Sequence, residues 1–125
     1  MSESKLTNKL VLIVEDDVIN NELLIFLLRR VNMQSLSAYN GKDAIELFKA
    51  NPKIDLVLMD LKIPGMSGYE ITKELKKIRA EVPIIAQTAY ALSGDREKAM
   101  AAGCDEYIKK PIIKEELYRL MENFF

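Results

Sequence analysis

The sequence predicts a doubly wound α/β domain: a five-stranded parallel sheet with helices on both faces. Two observations predict it. Short apolar runs of strand length alternate along the chain with longer segments that carry apolar residues three and four apart. Three of the short runs are also nearly continuously apolar, as strands covered on both faces tend to be. Right-handed crossovers between parallel strands then place the connecting helices over the sheet.

The elements follow in order. Lys9 to Val14 reads as the first strand, and a helix begins near Val18. Ser35 to Ala38 is the second strand, after which Asn40 stands before Ala44, Leu47 and Phe48 as an N-cap does. Leu56 to Met59 is the third strand. Ser67 precedes Glu70 by three residues in a capping-box spacing, and Ile71, Leu75 and Ile78 mark the helical face that follows. Pro83 to Gln87 and Glu106 to Ile108 complete the sheet, and Leu117, Leu120, Met121 and Phe124 mark a final helical face. Pro52, Pro64, Pro83 and Pro111 fall between periodic segments, as do Gly41, Gly65, Gly94 and Gly103. No linker or internal repeat divides the chain. A single domain over residues 1–125 is expected, with an ordered core from about residue 8 and a polar tail over residues 1–7.

Composition narrows the chemistry. At 125 residues and 49% apolar content, the chain has enough material for a core without disulfide staples. Its single cysteine, Cys104, allows no internal disulfide, and the chain has no histidine. That excludes Ser-His-Asp and Cys-His catalysis, a His-ligated metal, and any phosphohistidine made within this chain. The formal net charge of −1 lacks the basic excess that nucleic-acid phosphates demand, so direct nucleic-acid binding is not expected. The longest apolar stretches, Leu10 to Val14 and Leu23 to Leu28, are far short of the roughly 20 residues of a membrane span. The N-terminus also lacks a secretory pattern, so a cytoplasmic location is expected.

In sheets of this kind, ligands bind beyond the carboxyl ends of the strands. There the first strand ends in Glu15-Asp16-Asp17, the third in Asp60, the fourth in Thr88 and the fifth in Lys109-Lys110-Pro111. Crowded carboxylates repel unless a hard divalent cation sits among them, and magnesium is the natural candidate. Each residue also has a plainer role. Asp17 fits best as a helix cap, Asp60 can form a turn, Lys110 can be a surface lysine, and Thr88 can simply finish its strand. What favours function is the joint occurrence of acids, hydroxyl and lysine at the ends of different strands. A carboxylate can attack phosphorus while a lysine and a hydroxyl absorb charge on the equatorial oxygens. The Lys110-Pro111 bond can be cis, which re-aims the preceding side chain, or an ordinary trans turn.

These residues resemble a receiver domain, the phospho-acceptor module of two-component response regulators and hybrid histidine kinases. Four segments carry the resemblance: Val11 to Asp17, Leu56 to Gly68, Pro83 to Ala89 and Gly103 to Pro111. It implies a flavodoxin-like receiver fold with Asp60 as phospho-acceptor, and magnesium held by Asp16, Glu15, Asp60 and the backbone carbonyl of Lys62. It also implies that Thr88 bonds the phosphoryl group, that Ala89 leaves room beside it, and that Lys110 pairs with the phosphate. Thr88 and Tyr107 would form the switch, with a readout surface over Ala91 to Ala101 and Tyr107. Tyr107 can equally be a half-buried tyrosine on the sheet edge. The implied donor is a phosphohistidine on a histidine kinase or histidine phosphotransfer domain, and the implied recipient of the signal is a downstream effector or output domain. Such a domain is no turnover enzyme, since it catalyses only its own phosphorylation and dephosphorylation.

Asn20 and the run from Ala86 to Met100 are similar to receivers of hybrid kinases. The expectation is therefore either a stand-alone regulator or a cytoplasmic piece of a membrane-bound hybrid kinase. Gln87 departs from the family's more apolar residue there, either as a modulator of the site or as an exposed strand-end amide. Donor docking is expected on the first helix near Asn20, Asn21 and Leu24.

Three rivals share parts of this pattern. An FMN carrier would be repelled by Glu15-Asp16-Asp17 where its phosphate needs a hydroxyl- and glycine-rich loop. A magnesium-dependent phosphatase would need a second acid where Lys62 stands. An unphosphorylated interaction module of the same fold remains the alternative.

Overall fold

The computed structural model describes residues 5–89 and 94–125. Among the described residues five strands and five helices alternate: β1 (Leu10–Val14), α1 (Val18–Arg29), β2 (Gln34–Ala38), α2 (Gly41–Ala50), β3 (Leu56–Asp60), α3 (Gly68–Ile78), β4 (Ile84–Thr88), α4 (Asp95–Ala102), β5 (Glu106–Lys109) and α5 (Lys114–Glu122). All ladders are parallel, in the spatial order β2-β1-β3-β4-β5. The sequence predicts this doubly wound sheet, with strand ends differing by a residue. Asp60 and Thr88 are the last residues of their strands rather than the first residues beyond them.

Alternation along the strands divides the core into two layers. Leu12, Val14, Val57, Met59, Ile84 and Ala86 face α2, α3 and α4, where Phe48, Ile71, Leu75 and Ala99 meet them. Val11, Ile13, Leu56, Leu58, Ile85 and Ile108 face α1 and α5, packing on Leu24, Leu28, Leu117 and Met121. Leu6, within the stretch expected as a polar tail, is buried in this second layer. Its burial shows apolar packing upstream of residue 8.

The caps form as their sequences predict. Asn40 accepts the N–H of Asp43 at 2.8 Å, and Ser67 accepts that of Glu70 at 3.2 Å. At the start of α1, Asp17 accepts the N–H groups of Ile19 and Asn20, so its plain capping role is the observed one. Gly103 ends α4 at φ 115°, a left-handed conformation that a side chain would strain.

This wiring positions the functional edge. β1 and β3 are neighbours, but the chain leaves β1 for a helix on one face and β3 for a helix on the other. The divergence opens a crevice at their carboxyl ends, into which Glu15, Asp16 and Asp60 are delivered.

Candidate functional site

Glu15, Asp16, Asp17, Asp60, Lys62, Ala89 and Lys110 line a cleft of about 290 Å³ at that edge. Carboxylate oxygens of Glu15, Asp16 and Asp60 lie within 4.8 Å of one another. Glu15 is fully buried, Asp60 is 4% exposed, and Asp16 stands in the open. Strand ends explain the contrast. Asp60 completes a β3 that is buried throughout, whereas Asp16 sits in the turn before α1.

Each oxygen of Asp60 has a partner. Lys62 N–H donates to Oδ1 at 3.0 Å, and Lys110 Nζ lies 3.4 Å from Oδ2. The same ammonium is 3.0 Å from Glu15 Oε1. Asn20 Nδ2 also donates to Glu15 Oε1, while Asp17 N–H donates to Oε2 at 3.2 Å. Lys110 is brought there from β5, and its bond to Pro111 is cis.

Burial and crowding set the protonation states. Desolvation first, and then the hydrogen bond with Glu15, raise the Asp60 pKa to about 7 against the opposing pull of Lys62 N–H. Burial also pushes Glu15 upward, but hydrogen bonds with Asp60, Lys110, Asn20 and Asp17 outweigh it and hold Glu15 below its usual value. For Lys110, desolvation opposes the charge, and Glu15 and Asp60 more than compensate. Burial and the neighbouring Glu15 thus favour a proton on Asp60 beside the Glu15-Lys110 ion pair. A divalent cation entering the site would replace that proton. The donor set fits magnesium, being all oxygen with carboxylates converging from two elements.

The remaining predicted residues divide. Ala89 reaches the cleft, but Thr88 does not line it and is buried at the end of β4. Tyr107 is half-buried against the α2-α3-α4 layer. Of the expected readout surface, Ala91, Leu92 and Ser93 lie outside the described residues. The expected docking face needs correction. Leu24 is fully buried, and Asn21 is buried while accepting from Ser37 Oγ at 2.9 Å and donating to Tyr39 Oη at 3.2 Å. The exposed apolar residues of α1 are instead Val18, Ile19, Leu23 and Phe26, because the opposite stripe of that helix packs on the sheet. Gln87 is likewise buried rather than an exposed amide.

A β2-β1-β3-β4-β5 sheet with an acid cluster and a lysine at its carboxyl edge defines the receiver class of two-component signalling domains. The chain belongs to the response regulator receiver domain family, whose model matches residues 11–122. It is 40% identical over 107 residues to the polar-differentiation response regulator DivK of Brucella anthropi, which covers 83% of this chain and 85% of that protein. Two-component system protein A of Emericella nidulans is 34% identical over 119 residues; the match covers 94% of this chain and 17% of that protein. Among solved structures, the receiver domain of the sensor histidine kinase PA1611 from Pseudomonas aeruginosa PAO1 has magnesium coordinated in its active site cleft. It superposes with a TM-score of 0.86 at 32% identity, covering 94% of this chain and 98% of that one. A co-crystal structure of the Saccharomyces cerevisiae histidine phosphotransfer protein Ypd1 with the receiver domain of Ssk1 matches with a TM-score of 0.86. The identity there is 30%, over 95% of this chain and 90% of that one.

Proposed function

We propose that this receiver domain accepts a phosphoryl group on Asp60, with magnesium held by Glu15, Asp16, Asp60 and the backbone carbonyl of Lys62. The observation that carries the reading is the convergence of three carboxylates within 4.8 Å, with the Lys110 ammonium against two of them. Bound magnesium would supply charge neutralisation for the nucleophile and the equatorial phosphoryl oxygens. Lys62 N–H orients the Asp60 carboxylate through Oδ1, and Lys110 stands beside Oδ2 to meet an incoming phosphoryl group. The Asp60 oxygen forms a bond to phosphorus as the P–N bond to the donor imidazole breaks, and the imidazole takes up a proton. With no histidine in this chain, the phosphohistidine belongs to a partner: a histidine kinase or a histidine phosphotransfer domain.

Ile19, Leu23 and Phe26 lie at i, i+4 and i+7 on α1, the helix that starts at the rim of the cleft. This exposed apolar stripe is the proposed docking face for that donor. Transfer adds roughly −1.5 to −2 charge units. Thr88, drawn toward the phosphate, and Tyr107 would carry the change to the α4-β5 surface, where a downstream effector or output domain reads it. The domain catalyses only its own phosphorylation and dephosphorylation, and it works on the cytoplasmic side, as a stand-alone regulator or as a portion of a membrane-bound hybrid kinase.

Intact-protein mass after incubation with magnesium and a small acyl-phosphate donor tests the reading. One phosphoryl adduct is expected in the wild type and none in Asp60→Asn or without magnesium. No adduct from either the acyl phosphate or a phosphohistidine donor would favour an unphosphorylated interaction module.

A further inference from the structure

The amide of Gln87 is not used by the reaction above. Gln87 is 1% exposed and is the ladder partner of Asp60 on β3. Ladder partners in a parallel sheet share a face, so its side chain lies on the α1-α5 side with Ile85 and Ile108. Its Oε1 accepts from Asn20 Nδ2 at 3.4 Å, and its Nε2 has no hydrogen-bond partner among the described residues. Burying half of an amide unpaired is costly. An apolar side chain of the same length would fill that place without the cost.

What the amide supplies is a fixed acceptor. Asn20 Nδ2 carries two hydrogens, and its other partner is Glu15 Oε1. Gln87 therefore stabilises the orientation of Asn20, and Asn20 in turn fixes an oxygen of a fully buried carboxylate at the cation site. We infer that Gln87 is a positioning residue that acts through Asn20 to hold Glu15 ready for magnesium, coupling the end of β4 to the acid site. Outer partners of metal-binding carboxylates have this kind of effect, and losing one typically weakens metal binding about tenfold or more. The inference rests on the proposal that Glu15, Asp16 and Asp60 bind magnesium.

Calorimetric titration with magnesium chloride tests it on the wild type, Gln87→Met, Asn20→Ala, the double variant and Asp16→Asn, each with a thermal melt. Gln87→Met and Asn20→Ala are expected to weaken magnesium binding about tenfold. The double variant is expected to bind no more weakly than Asn20→Ala, because the two residues act in series. A purely structural role would shift the melt and leave the magnesium affinity alone. Wild-type affinity in Gln87→Met, or additive losses in the double variant, would overturn the inference while a weakened Asp16→Asn left the magnesium site standing. Unchanged affinity in Asp16→Asn would overturn the magnesium site itself.

Discussion

The ammonium of Lys110 stands 3.0 Å from Glu15 and 3.4 Å from Asp60, so one cation serves two buried carboxyls. Burial beside Glu15 raises the Asp60 pKa to about 7 and so favours its protonated form. The proposed phosphoryl transfer to Asp60 needs that proton gone.

The first consequence is a pH-dependent stability. Asp60 has a folded pKa of about 7 against an ordinary 3.8, so the folded state holds the proton more tightly than the unfolded one. Its contribution is fully present below the ordinary value and is lost as pH rises through about 7. Glu15, held below its ordinary 4.5, acts with the opposite sign and only at more acid pH. Thermal melts in chelator should therefore show the wild type losing stability from pH 5 to pH 8, while Asp60→Asn stays flat. At pH 8 the variant should melt several degrees higher, on the scale of about 4 °C per 1 kcal/mol for this size. Saturating magnesium should remove most of the difference.

Lys110→Met should separate charge from packing. Without the ammonium, Glu15 loses its ion pair while remaining buried, which costs about 2 kcal/mol near neutrality. Denaturant unfolding at pH 7 should show that loss. Phosphoryl incorporation from an acyl phosphate should fall by at least tenfold, because the charge on the transferring group is no longer met.

Gly68 sits where α3 begins against β3. A Cβ there would overlap the carbonyl oxygen of Asp60 and come within 2.6 Å of Leu61 Cα. Gly68→Ala should displace the end of β3 that carries Asp60, costing roughly 1–3 kcal/mol by equilibrium unfolding. Its labelling by acyl phosphate should fall with it. A variant that is destabilised yet labels at the wild-type rate would show that the strand end tolerates the shift.

Phe26→Ala and Ile19→Ala should discriminate between donors. Both residues are more than half exposed, so stability should change by no more than about 0.5 kcal/mol. Labelling by a small acyl phosphate should be unchanged. Transfer from a phosphorylated histidine protein should drop several-fold, measured as single-turnover kinetics. Equal transfer rates would remove α1 from the docking face.

The sheet was legible because buried parallel strands such as Leu56–Asp60 leave uninterrupted apolar runs, and because Asn40, Ser67 and Asp17 mark their helix starts locally. The acid cluster was legible for a topological reason. Once strand ends converge, Glu15, Asp16, Asp60 and Lys110 must meet. Which side of α1 faces out was not, since Leu23 to Leu28 is apolar all round and its moment gives little direction. Leu24 and Phe26 are equally hydrophobic, and only packing on β1 tells them apart. The Gln87-Asn20-Glu15 connection depends on a contact between Asn20 and Gln87, 67 residues apart in sequence, and such a contact leaves no periodic trace. Its visible signal was the Gln87 amide directly after the apolar run Ile84 to Ala86.

The most direct test of the central claim is to locate the acyl phosphate. The domain is phosphorylated in magnesium, the labile adduct is trapped by borohydride reduction to the corresponding alcohol, and the modified residue is read by peptide sequencing in a mass spectrometer. The predicted result is homoserine in place of Asp60, appearing only with magnesium and donor together. Modification at Asp16, Asp17 or Glu15, or none with a competent phosphohistidine donor, would contradict the account.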